Sequence, residues 1–419
     1  MGKQTLFFEA AQNGCVNESA PLAGVVVLDT WQAVERVSDC WRGWQADPNG
    51  DSDFFRFIVE IRPECENPYI VCVEKKGTPQ ALLLGRTESS AVPIRIGYLN
   101  LVKLQLRLIT FIQGGVLGHL EQQSSDELVK LILHRLAVGD ADAAYFSHIR
   151  QDTALAASLK KVPGLFRRDT FTNVQAHRSL TIPNSVDSFY ARLPSKTRKN
   201  YKRKAKRLME TFGQNVDIRC FRRPDDLDLL FREVDQIANA TYQRALGVGF
   251  ADTPEMRGRM QLAASKGWLR AFVLYLNQKP AAFWIGSRYR NKFFGDFVGY
   301  DSAYANHSPG MYLMLQSMES FCQETGPERV TEVDFGLGDA PYKQELATDC
   351  WTEESLYLYS PRRRGIALNL SRTFTDVLDR AGRTVLRRLG LEHSLKTTWR
   401  KRLVRKEPIS NERDNSDSA

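Results

Sequence analysis

Several stretches in the second half of this chain carry side chains suited to acid–base and anion-binding chemistry. Asp334 lies near the end of an apolar run, Arg329-Val-Thr-Glu-Val-Asp-Phe335, just before Gly336. A carboxylate there can take a proton from an attacking amine or hydroxyl once burial raises its pKa. It can equally cap the loop by accepting backbone N–H groups. Tyr342 and Lys343 follow the loop Gly336-Leu-Gly338-Asp-Ala-Pro. A tyrosine hydroxyl can protonate a leaving thiolate or alcohol, and a lysine ammonium can stabilise the oxyanion of a tetrahedral intermediate. Ser308-Pro-Gly310, with Met311 and Tyr312, opens a helical segment. Glycine permits a tight turn there, and the free N–H groups and positive dipole end of the helix stabilise a phosphate. The same residues also fit an ordinary helix start, with Ser as cap and Pro in the first turn. Asp296, Tyr300 and Asp301 lie on or just after the strand before that loop and are candidates to contact an acceptor hydroxyl or amine. His307 is an available base, although a lone loop histidine is commonly just solvated. No Ser-His-Asp or Cys-His set is recognisable, which argues against a covalent acyl-enzyme.

The elements around these residues repeat. Lys292–Tyr300 reads as a strand, Met311–Cys322 as a helix and Arg329–Phe335 as a second strand. Trp268–Leu276 and Pro280–Arg288 form a hairpin ahead of them. Ligands in α/β proteins sit at glycine-containing loops that follow strands in this way. The first half has a similar order. Tyr69–Val73 and Gln80–Gly85 read as a hairpin, and Arg95–Asn100 and Leu108–Gln113 as strands. Gly114-Gly115, a helix over Ser125–Val138 and a strand over Ala143–Ile149 complete it. Ahead of these come a strand over Pro21–Leu28 and a helix over Thr30–Trp44 with Thr30 as cap. Asp47–Asp51 is a turn, and Phe54–Ile61 is helix or strand. The repeated order predicts two tandem units.

Between the halves, Asn173–Leu180 reads as a strand and Ser185–Phe212 as one helix with a basic run. From Arg192 no acidic residue interrupts until Glu210. This run, with Arg198, Lys199 and Lys202, either binds phosphates or forms a solvated basic face. Leu227–Ala245 is a further helix, with Tyr242 near its end. After Tyr359 the composition turns basic. The segment from Arg362 to Lys406 can lie on an anionic membrane, Arg outward and Leu, Ile and Phe inward; nucleic acid and simple packing on the domain are the competitors. The last residues, 407–419, are polar and expected to be disordered.

The chain has 419 residues and a net charge of +9, with 42% hydrophobic residues, enough for two domains with cores. Its seven cysteines and six histidines are scattered, without metal-ligand spacing. No signal segment and no run near the roughly 20 apolar residues of a membrane span is visible. A reduced, cytoplasmic protein is the expectation, with no metal.

Gly299-Tyr-Asp301, Ser308-Pro-Gly310, Asp334-Phe-Gly336 and Tyr342-Lys343, in this order, resemble the CelD-like branch of the GNAT acyltransferases. That branch is itself similar to the Fem aminoacyltransferases. The resemblance covers about residues 180–360. It implies an α/β fold of two tandem GNAT-like units with mixed sheets, 21–180 and 181–360. A flexible segment 1–20 precedes them and a basic helical tail, 361–419, follows. It implies acyl transfer from acyl-CoA to an amine or hydroxyl, such as a sugar or lipid-linked sugar in cell-envelope or exopolysaccharide synthesis. Asp334, Tyr342 and Lys343 would then be catalytic. Ser308, Gly310, Met311 and Tyr312 would hold the coenzyme A pyrophosphate. Arg198, Lys199, Lys202, Tyr242, Asp296, Tyr300 and Asp301 would meet the acceptor. The usual Arg/Gln-x-x-Gly-x-Gly pattern is absent. Two other readings stay open: a Fem-type transferase using aminoacyl-tRNA, and a non-catalytic GNAT shell at a membrane surface.

Overall fold

Runs rich in β-branched and aromatic residues pair edge to edge. In a computed structural model they build one twelve-stranded sheet. The structure describes residues 24–96, 99–239 and 249–388. The strands are β1 (Val25–Leu28), β2 (Cys65–Lys75), β3 (Thr78–Ile96), β4 (Leu99–Gly118), β5 (Ala143–Arg150) and β6 (Asn173–Thr181). They continue as β7 (Val216–Phe221), β8 (Leu269–Leu276), β9 (Lys279–Tyr289), β10 (Lys292–Tyr300), β11 (Glu332–Leu337) and β12 (Asp349–Tyr359). Their order across the sheet is β1-β2-β3-β4-β5-β12-β6-β11-β10-β9-β8-β7. Among the described residues only β4/β5 and β10/β11 pair in parallel, so the sheet is mixed.

The order runs the same way inward from either edge, until the centre. There the last strand of each half has crossed over. β6 pairs with β11, and β12 pairs with β5. The two crossed strands also pair with each other over seven residues. The α/β architecture with mixed pairing is as expected, but the two halves share one continuous sheet. Consecutive segments of chain do not predict such an exchange, because nothing local marks which edge a strand will join.

The helices are α1 (Trp31–Glu35), α2 (Ser38–Trp44), α3 (Ser52–Ile61), α4 (Gln122–Val138), α5 (Ala154–Lys161) and α6 (Val186–Arg192). Then come α7 (Ser195–Phe212), α8 (Leu227–Asn239), α9 (Pro254–Ser265), α10 (Pro309–Gln323), α11 (Pro341–Leu346) and α12 (Arg363–Arg388). Thr30 does cap α1, its hydroxyl accepting the Ala33 N–H at 3.2 Å, but a break at Arg36-Val37 divides the expected helix in two. The long basic helix is also divided, because Pro194 lacks an N–H and holds the residue before it extended. The helix expected from Ser125 begins earlier, at Gln122, and Ser125 lies buried inside α4 with its hydroxyl on the Glu121 carbonyl. β3 and β4 form one long hairpin rather than separate short strands. Tyr242 and the segments 1–20 and 389–419 lie outside the described residues. Among the described residues no helix is long and apolar enough to cross a membrane.

Under α10 the second half buries Phe272, Trp284, Phe293, Met314, Phe321 and Val333. The opposite face packs Phe231, Phe250, Val273 and Phe283 under α8 and α9. Asp51 ties the halves together on that second face. Its carboxylate caps α3 by accepting the N–H groups of Asp53 and Phe54. It also accepts Gln45 Nε2 at 2.8 Å and the Tyr289 hydroxyl at 3.0 Å, and Lys266 Nζ lies 3.4 Å away. Asp51 is buried, so removing it strands several donors at once. Asp51→Ala should therefore lower unfolding free energy by roughly 3 kcal/mol, read from the urea midpoint. A loss below ~1 kcal/mol would show that the halves do not depend on this carboxylate.

Candidate active site

β10 and β11 stay together for only three residue pairs, Lys292–Phe294 against Glu332–Asp334. Past that point they part. β10 bulges between Gly295 and Phe297, which leaves Asp296 as the extra, unpaired residue. The facing strand comes close here. A Cβ on Gly286 would stand 2.0 Å from the Phe294 carbonyl oxygen, so only glycine fits. The first half has the matching parting between β4 and β5 after Phe111 and Phe146. There the bulged stretch of β4 is packed by the loop before α3: a Cβ on Gly114, whose φ is +72°, would lie 2.5 Å from Asp47 Cγ.

A row of polar side chains crosses the centre of the sheet. Val333 and Phe335 are buried in the core under α10, so the alternation of a strand turns Asp334 to the opposite face. Its Oδ1 lies 2.6 Å from His177 Nε2 and accepts the Gly336 N–H at 2.6 Å. The other side of the His177 ring approaches Glu353 Oε1 at 2.8 Å, a charge contact out of line with the N–H bond. Trp351 stacks on the imidazole at 4.4 Å and donates its indole N–H to Glu353 at 2.7 Å. His148 follows on β5, with its Nδ1 3.3 Å from Ser355 Oγ. His148, Glu353, His177, Asp334 and Asp296 thus come from five neighbouring strands. Burial opposes a charge on His177, but the bond to Asp334 and the charge contact with Glu353 outweigh that and raise its pKa to about 9. It is an imidazolium at neutral pH.

Asp296 lines an open cleft of ≈ 650 Å³, its solvent mouth included, with Phe54, Arg259, Met260, Trp268 and Phe297. Its carboxylate is accessible by surface area yet deep in protein mass; a water-filled recess produces both. Desolvation, opposed by Arg259 and reinforced by Asp47 and Asp334, raises its pKa to about 7. Asp47 is raised to about 6, again chiefly by burial, with Asp334 adding to the effect. Two carboxylates poised near neutrality beside a cleft are what general base chemistry requires. Among the described residues no three His, Cys, Asp or Glu side chains are arranged to hold a metal ion.

The other candidates fall around this centre. Lys343 is buried, with Nζ on the Leu337 carbonyl at 2.6 Å; burial lowers its pKa, while Asp334 opposes that. Tyr342 packs edge-on to Phe335. At the start of α10 the tight turn belongs to Ser308, at φ 51°, rather than to Gly310. Ser308 makes no side-chain cap, and its carbonyl takes the Tyr312 N–H at 3.1 Å. The first turn carries no acidic residue. The Tyr312 hydroxyl meets Met209 Sδ at 3.5 Å, and the Tyr300 ring lies against Gly310. Asp301 caps the short helical turn after β10 by accepting the Ala303 N–H at 2.9 Å. Arg198, Lys199 and Lys202 lie on α7. That helix is anchored by buried Tyr201 and Leu208, and by a hydrogen bond from the Tyr201 hydroxyl to Glu345 on α11. Its far end packs Phe212 on Tyr304 and His307. Asp47, His177, Arg259 and Glu353 were not singled out from sequence. His177 and Glu353 are polar residues among other polar residues of their strands, and Asp47 looked like an ordinary turn.

A parallel pair that parts at a bulge, followed by a helix N-terminus, leaves an opening in the sheet with free backbone N–H groups beside it. Residues 195–344 match the family model described as acetyltransferase (GNAT) domain. No curated protein sequence matches the chain. Among solved structures, FemX is 12% identical, over 77% of this chain and 95% of that one, with a TM-score of 0.51. A tandem GNAT protein from the clavulanic acid biosynthesis pathway is 11% identical, over 81% and 99%, at 0.49. The C-terminal domain of a putative lysylphosphatidylglycerol synthetase from Agrobacterium fabrum is 12% identical, over 80% and 94%, at 0.47. The FemX likeness shows a shared fold.

His177 makes stability depend on pH with a definite sign. The folded chain holds this proton to about pH 9, against 6.5 for the unfolded chain. The stabilisation is therefore complete below 6.5 and lost as pH rises through 9. Asp47 and Asp296, raised from 3.8, act lower, over the range up to about 6 and 7. Urea unfolding of the wild type should lose roughly 3 kcal/mol at most between neutral pH and pH ~9, and His177→Gln should flatten that interval. A flat wild-type profile would mean that His177 is neutral.

Proposed function

We propose that this chain is a GNAT-type acyltransferase that moves an acyl group from acyl-CoA to an amine or hydroxyl. The carrying observation is the parting of β10 and β11 at a bulge whose residue, Asp296, has a pKa of about 7. The donor's phosphates suit the N-terminus of α10, whose first turn, with Gly310 and Met311, contains no acidic residue. Asp296 takes the proton from the acceptor nitrogen or oxygen, which attacks the thioester carbonyl. Lys343 steadies the oxyanion. The carbon–sulfur bond then breaks, and Tyr342 gives its proton to the thiolate. The base role passes from Asp334 to Asp296, because Asp334 Oδ1 is already engaged by His177 and Gly336. Asp334 positions the row and raises Asp296. The acceptor class we favour is a sugar or lipid-linked sugar of the cell envelope, whose phosphate suits the basic face of α7.

A second reading has one observation behind it. Among the described residues the one ion pair on α7 is Lys206–Glu210, at 3.7 Å, and most of the helix's cations are exposed. Such a face also fits the tRNA of a Fem-type aminoacyl transfer, with binding that weakens steeply with salt. Thermal shift with acyl-CoAs, free coenzyme A and tRNA separates the two readings.

Thiol release from acyl-CoA in the presence of amine and sugar acceptors tests the main reading. The rate should rise with pH through about 7 as Asp296 ionises. Asp296→Asn should lower kcat by about 10²–10³-fold with little change in KM for the donor. Full activity of that variant would remove Asp296 as base. Intact turnover in both Lys343→Ala and Asp334→Asn would remove those two residues from the site. Coenzyme A binding without turnover would leave a binding module.

A further inference from the structure

α12 is turned inside out. Its protein-facing side has Leu368 but is anchored by polar groups: Asn369 Nδ2 donates to the Phe166 carbonyl at 2.7 Å, and Arg372 Nε to Asp169 Oδ1 at 3.2 Å. Asp169 is buried and also accepts the Tyr359 hydroxyl and the Tyr357 N–H. Asp376 follows Arg372 by one turn on the same side. The outward side is apolar. Ile366, Leu370, Phe374, Val377 and Leu378 are 46%, 62%, 64%, 48% and 39% exposed. Their spacing of four, four, three and one places them in a single stripe. Leu165 and Phe166, 73% and 83% exposed, lie beside it through the Asn369 bond. The polar network holds the helix in this orientation, so rotation to bury the stripe would break it.

The surroundings are basic. α12 has seven arginines against Asp376 and Asp379. Arg363, Arg364 and Arg380 are exposed, and Arg380 flanks the Phe171 ring at 4.0 Å. Leu368, on the helix's inner side, packs with Val92, Leu106 and Leu108 at the base of the long β3–β4 hairpin. From Ser89 to Leu120 that arm's sequence contains no acidic residue, but has Arg95, Lys103 and Arg107, the last of them paired with Glu66 at 2.8 Å. Among the described residues, a broad apolar surface is therefore rimmed by arginines.

We propose that this face docks on an anionic lipid bilayer, with the α12 stripe and Phe166 in the acyl boundary and the arginines among the headgroups. Charge selects the occupant. A second copy related by a two-fold axis would bring the same basic rim against itself, whereas anionic lipid neutralises it. This orientation refines the expected one: the apolar residues face away from the protein, and Arg372 faces into it.

Sedimentation of the full chain with vesicles tests this. The protein should pellet with phosphatidylcholine–phosphatidylglycerol vesicles, far less with phosphatidylcholine alone, and less as salt rises. The Leu370→Glu/Phe374→Glu variant alters only exposed residues. It should keep its Tm and thiol-release activity and lose vesicle binding by about tenfold or more. Arg363→Gln/Arg364→Gln should weaken binding to the anionic vesicles selectively. Wild type left in the supernatant, or equal pelleting of the glutamate variant, would overturn the assignment. A dimer in light scattering that the glutamate variant dissociates, without vesicle binding, would give the face to a second copy instead.

Discussion

One imidazolium joins the two halves of the sheet. His177 stands on β6, the strand that crosses from the first half into the second, and binds Asp334 on β11. Its other nitrogen approaches Glu353 on β12, which crosses the opposite way. Buried ions of one sign cost several kcal/mol each to desolvate, so none of the three would be stable there alone. Together they neutralise most of that cost, and they do so only when both crossed strands are in register. The ion triad therefore bridges both crossed strands, and removing one partner would leave the others buried and unpaired. Trp351 covers the ring and keeps water from screening the contacts.

The two halves put the same plan to different ends. Each has a parallel pair that parts after a few residues and a helix that follows. In the first half, the loop carrying Asp47 packs against the bulged stretch of β4, and Glu121, a carboxylate, stands at the cap of α4. In the second, the bulge presents Asp296 to an open cleft, and α10 begins without an acid. The first half thus lends a loop and a carboxylate to a site whose opening belongs to the second. Asp51, buried between α3, β9 and α9, fixes that loop in place.

What sequence could show depended on whether the cause was local. The β8–β9 turn was legible because Asn277 and Gln278 sit between two apolar runs, and both take the positive φ of a tight hairpin turn. The basic character of α7 was legible because charge is read directly. The extent of the β3–β4 hairpin was not, because its pairing is set across the sheet. The site was half legible. Asp296, Asp334 and Lys343 stood in stretches already singled out, but their roles depend on partners up to 157 residues away. His177 in a strand, or Glu353 beside Glu354, gives no sign of which strand will lie next to it. The outward face of α12 was equally hidden, because its orientation is decided by Asp169 rather than by the helix's own periodicity.

Proton bookkeeping explains why Asp296 and not its neighbours suits exchange near neutral pH. Four carboxylates, from Asp47, Asp296, Asp334 and Glu353, share this region, and the imidazolium touches only two of them. Asp334 gains the His177 bond and a backbone N–H; Glu353 gains the charge contact and the Trp351 indole. Asp47 holds the Asn49 N–H at 2.8 Å, which limits its rise. Asp296 has only the more distant Arg259, and its position on a bulge, outside the strand ladder, leaves it facing the cleft. Burial in the recess, opposed by Arg259 and reinforced by smaller repulsions from Asp47 and then Asp334, therefore falls on a carboxylate free to relieve it by binding a proton. The carboxylate bound by His177 thus adds a share to the rise of Asp296, on top of the larger effect of burial.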